Sequence, residues 1–85
     1  MSNRKLTLDL HSIYNEGQAI DEALLGIMDE AEEIGAKQVE IIHGKGSGQL
    51  KKRVLKFLDD KSIKQRYHRL DKDKDNHGRT FVYFK

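Results

Sequence analysis

Leu6, Leu8 and Leu10 alternate with Thr7, Asp9 and His11 near the start of the chain. A period of two predicts a half-buried strand, with the leucines toward a core and the other three away from it. The period then lengthens. Ile20, Leu24, Ile27, Met28, Ala31 and Ile34 fall three and four apart, forming one stripe of an amphipathic helix. Asn15 is placed to cap that helix, Glu16 suits the positive end of its dipole, and Gly35 is placed to stop it. The run QVEIIH, residues 38–43, carries β-branched Val39, Ile41 and Ile42 and predicts a second, more buried strand. GKGSG, residues 44–48, is a loop. A second helix begins near Ser47 or Gly48, with Leu50, Val54, Phe57 and Leu58 as its stripe.

The last third is less regular. IKQRYHRL, residues 63–70, mixes polar and apolar positions like an edge strand, DKDKDNHG is a charged loop, and RTFVYF, residues 79–84, is strongly β-prone. The predicted order is β-α-β-α-β-β. Helical connections make the first three strands parallel, and the last two form a hairpin. Two helices on one face of a mixed four-stranded sheet give a two-layer α/β sandwich whose other face is open. Alternation puts Phe81 and Tyr83 on one face of the last strand and Val82 and Phe84 on the other. Tyr67 and these aromatics either fill a core or offer a surface on which bases stack.

A chain of 85 residues forms one domain, residues 1–85. The absence of cysteine excludes a disulfide framework and thiolate metal ligands, and it fits a reducing cytoplasm. No apolar run approaches the ~18 residues of a membrane span, so no membrane partner is expected. The net charge of +2 is small, but it is unevenly spread. The first helix carries Asp21, Glu22, Asp29, Glu30, Glu32 and Glu33 without a balancing cation, whereas the second exposes Lys51, Lys52, Arg53 and Lys56.

That basic helix changes the meaning of the glycine loop before it. GKGSG is neither a dinucleotide fingerprint, which needs glycine where Gln49 stands, nor a nucleotide P-loop. It is a glycine-rich strand-to-helix turn. Backbone N–H groups at Gly44, Gly46, Ser47 and Gly48, with Lys45 and the helix start, can hold a phosphate. His11 and His43 each end a predicted strand, at the sheet end where open α/β folds bind ligands. Asp9 and His11, on one strand face, are either its wet side or a pair able to orient and move a proton. No histidine spacing makes a zinc motif, and DKDKDNHG lacks the glycine and closing glutamate of a calcium loop.

Together, LDLH at 8–11 and HGKGSG at 43–48 resemble the Smr (small MutS-related) domain. That family carries LDLHG on its first strand and HGxGxG after its second. Ser12 stands where the family has glycine, and NHGRT, with the single Gly78, is a reduced form of a glycine-rich segment before the last strand. The resemblance covers nearly the whole chain. It implies a fold like the C-terminal domain of translation initiation factor 3. It also implies nucleic-acid binding and, in several members, DNA nicking or RNA cleavage in recombination control, repair or ribosome rescue. On that basis Asp9 and His11 act at the scissile phosphodiester with His43 nearby. The loop residues Gly44, Lys45, Gly46, Ser47 and Gly48, with Lys51, Lys52 and Arg53, grip phosphates. RNA cleavage through its 2′-hydroxyl needs no metal; attack of water on DNA is compatible with magnesium or manganese. The alternatives are a non-catalytic nucleic-acid-binding module and a domain that docks on a ribosome or protein.

Overall fold

The alternating leucines build β1, Lys5–Asp9, and the helical stripe builds α1, Gly17–Ile34. In the computed structural model, which describes residues 4–13, 16–44, 48–72 and 78–84 (backbone only for His11 and Lys72), six further elements accompany them. A 3-10 turn spans His11–Ile13, and β2 spans Gln38–Ile42. Helix α2 covers Gln49–Leu58, and the short α3 covers Lys61–Lys64. β3 is Arg69–Lys72 and β4 is Arg79–Tyr83. Among the described residues no helix is long and apolar enough to cross a membrane.

The sheet order is β1-β2-β4-β3. β1 and β2 are parallel, and β4 runs antiparallel to both of its neighbours, so the first three strands share a direction and the last two pair as a hairpin. The unforeseen feature is the position of β4, which inserts between β2 and β3. The N-terminal end of β4 therefore lies beside the C-terminal end of β2, with Arg79 opposite Ile42.

Both long helices pack on one face. The core there joins Leu10, Leu24, Met28, Val39, Ile41, Val54, Leu58 and Val82, each fully buried. Thr80 is buried on the same face, opposite Ile41. Gly35 ends α1 at φ 68°, a left-handed value that costs glycine nothing, and its N–H donates to the Ala31 carbonyl.

Three expectations change. The residue before α1 is Glu16, without a side-chain cap, and the predicted cap Asn15 lies outside the described residues. Residues 63–70 are not one strand. The Asp60 carboxylate accepts from the Ser62 N–H at 2.9 Å and its hydroxyl at 2.6 Å. This cap starts a helical turn that buries Ile63, and the edge strand begins only at Arg69. The third change concerns His11. β1 stops at Asp9 and Leu10 turns into the core, so His11 opens a turn instead of sharing a strand face with Asp9.

Candidate active site

The C-terminal ends of β1 and β2 and the start of β4 converge at one end of the sheet. Asp9 is the last residue of β1, paired with Ile42, and its side chain is exposed. The Leu10 N–H then donates to the Ile42 carbonyl at 2.9 Å while the Leu10 side chain fills the core. This anchor fixes where the turn at His11 begins. Ser12 is exposed within that turn and needs no left-handed backbone, since no described residue other than glycine has positive φ. A glycine at this position is therefore not required by the turn.

β2 ends in a different way. His43 is only 4 % exposed. Its Nδ1 lies 3.1 Å from the Gly44 carbonyl and its Nε2 lies 2.9 Å from the Thr80 hydroxyl. A carbonyl only accepts, so Nδ1 carries the proton; in the neutral ring Nε2 then accepts from Thr80. Burial lowers the pKa of the imidazole, as does the nearby Lys51 charge; the Gly44 hydrogen bond opposes them. The backbone N–H groups of His43 and Gly44 both donate to the Gly78 carbonyl, at 2.9 and 3.0 Å. His43 thus joins the glycine loop to the start of β4.

Gly44 has φ 76° and Gly48 has φ 84°, so the loop enters and leaves through backbone conformations that favour glycine. Gly48 directly precedes α2 as its N-cap residue and, as glycine, offers no side chain to cap it. The positive dipole end of α2 therefore faces the loop. Lys45, Gly46 and Ser47 lie outside the described residues.

The basic face of α2 is divided. Lys52 is exposed and Lys51 is half-buried close to the loop. Arg53 is turned away to Asp21 of α1, with Nη2 to the carboxylate at 3.0 Å and Nε at 3.3 Å. It also lies over Gly17, where a Cβ would meet its Nη2 at 2.9 Å. Arg53 therefore links the two helices through an ion pair whose members are both half-exposed.

Sequence patterns did not single out Thr80, the Gly78 carbonyl or Arg79. Their partners lie more than thirty residues away, and only the order of the sheet brings them to the site. The one sequence signal was the short NHGRT segment. Among the described residues no three His, Cys, Asp or Glu side chains come together as a metal-ligand set.

The family model of the Smr domain matches residues 8–85. The chain belongs to the Smr domain family. This Smr domain is 36% identical over 73 residues to the endonuclease MutS2 of Finegoldia magna, a match covering 81% of this chain and 9% of that protein. It is 41% identical over 58 residues to the endonuclease MutS2 of Caldicellulosiruptor saccharolyticus, covering 65% of this chain and 7% of that protein. The chain thus spans less than a tenth of the length of these relatives. The crystal structure of the Smr domain of Thermus thermophilus MutS2 superposes with a TM-score of 0.72 at 21% identity, covering 96% of this chain and 98% of that one. The mixed sheet with its helices is the Smr fold.

Proposed function

We propose that this Smr domain binds nucleic acid and cleaves its phosphodiester backbone. The observation that carries it is the convergence, at one end of the sheet, of exposed Asp9, the turn opening at His11, and a glycine loop that runs into the N-terminus of α2. A phosphate held by the loop and by Lys45, Lys51 and Lys52 would lie beside Asp9 and His11. In RNA, the 2′-oxygen attacks the adjacent phosphorus as its proton passes to the base. The bond to the 5′-oxygen breaks, and that oxygen takes up a proton. His11 moves the proton and Asp9 orients it or the nucleophile. His43 is assigned a positioning role beneath the loop, because its ring is covered and both its nitrogens are engaged. The name endonuclease, borne by the MutS2 relatives, supports the reading. The wider setting proposed, cytoplasmic DNA intermediates or RNA including ribosome-associated RNA, rests on that kinship.

The test is cleavage of supercoiled plasmid and of single-stranded RNA, with and without EDTA, by wild type, Asp9→Ala, His11→Ala and Lys45→Ala. Cleavage that both Asp9→Ala and His11→Ala abolish is expected. Binding without cleavage by the wild type would leave a nucleic-acid-binding module and overturn the catalytic half.

A further inference from the structure

The helix-free face of the sheet is chemically unlike an ordinary wet face. β4 is a central strand, and it turns Arg79, Phe81 and Tyr83 outward, opposite Ile42, Glu40 and Gln38 of β2. Both rings are half-buried, and each has one cation beside its face: Lys5 Nζ is 5.8 Å from the Phe81 centroid, and the Arg69 guanidinium is 4.6 Å from that of Tyr83. Glu40 lies beneath them, its side chain 8% exposed, and accepts from Lys5 at 3.0 Å and Arg79 at 2.8 Å. Two half-exposed cations thus share one covered carboxylate. Among the described residues a further acid beside the rings is Asp71, opposite Phe81 on the outermost strand. It repels phosphate from that side; toward β1, Lys5 and Arg79 outnumber the Glu40 they share, and Asp9 stands at the far end of that strand.

We infer that this face is a stacking track for single-stranded nucleic acid, running from Arg79 at the Asp9 end through Phe81 to Tyr83. The inference rests on the nucleic-acid reading above and names its substrate class. Phe81 and Tyr83 stand about 7 Å apart along the strand, room for consecutive splayed bases. Aromatic rings on open four-stranded sheets stack two or three bases in other RNA-binding modules, and guanidinium planes serve the same purpose. Duplex bases are already stacked, so the track selects unpaired strands. It is continuous with the site: Arg79 follows Gly78, whose carbonyl holds the start of the glycine loop. The backbone can therefore pass from that loop across Arg79 while its bases lie over β4.

The test is a fluorescence-anisotropy titration in EDTA, using a labelled single-stranded 12-mer and a hairpin duplex. Wild type should bind the single strand more tightly. Phe81→Val and Tyr83→Val, which keep strand propensity, should each weaken single-strand binding about 5- to 100-fold and leave duplex binding unchanged. Tyr83→Phe should bind like wild type. Ultraviolet crosslinking of the unaltered chain should place the adduct on the β4 peptide, so the result stands even if a valine variant misfolds. Folded valine variants with wild-type affinity, or crosslinks confined to other peptides, overturn the track. Failure of the wild type to bind any nucleic acid overturns the proposed function itself.

Discussion

Thr80→Val tests the support of the glycine loop at its most buried point. Thr80 is fully buried, and its hydroxyl lies 2.9 Å from Nε2 of His43. Valine preserves shape but removes the donor. Nδ1 is committed to the Gly44 carbonyl, so the ring keeps its tautomer and Nε2 becomes a buried acceptor without a partner. Leaving such a group unsatisfied costs about 1–3 kcal/mol. For a domain of this size each kcal/mol lowers the melting midpoint by about 4–8 °C. Urea unfolding followed by circular dichroism should show the lower stability with an unchanged slope. In a double-mutant cycle with His43→Leu, most of the loss should belong to the pair. A Thr80→Val variant within about 0.3 kcal/mol of wild type, smaller than any cost expected for an orphaned group, would refute this account of His43.

Three further outcomes follow. The His43 pKa is lowered in the fold from an ordinary 6.5, so the unfolded chain protonates first as pH falls. Its contribution to stability is complete above 6.5 and is lost as pH drops toward the folded value, with a slope of at most about 1.4 kcal/mol per pH unit; His43→Gln should flatten this part of the urea-midpoint profile. Glu40→Gln leaves only half-exposed cations behind and should cost about 1 kcal/mol or less, whereas the double variant Lys5→Met with Arg79→Met strands a covered carboxylate and should cost about 3 kcal/mol; equal losses would show that Glu40 is not covered. Gly48→Ala meets open space but keeps a φ of 84°, so its cost is conformational, about 1–2 kcal/mol in chemical unfolding, with Gly48→Asn costing less.

Local periodicity reveals the parts of this domain that are locally determined. The leucine alternation marks β1, the three-and-four spacing marks α1 and α2, and Gly35 marks the end of α1, because each element buries one face of its own sequence. The start of β3 was not legible that way. An Asp60–Ser62 cap imposed a helical turn on four residues, too few to show a period. The place of β4 between β2 and β3 was also hidden, since pairing across some forty residues leaves no local trace. The same limit applied to the candidate site. The two motifs brought Asp9, His11 and the loop together, yet the burial of His43 depends on Thr80, and the engagement of Arg53 depends on Asp21. The outward, half-buried aromatic pair became identifiable only once Thr80 and Val82 were found facing the helices.

The central claim is chemistry at Asp9, and the most direct test is the single-turnover cleavage rate of Asp9→Asn with nucleic-acid affinity measured in parallel. The change keeps size and polarity while removing the charge at an exposed strand end. A rate lowered about 100-fold or more is expected, with affinity within a few-fold of wild type. An Asp9→Asn variant that cuts at the wild-type rate would contradict it.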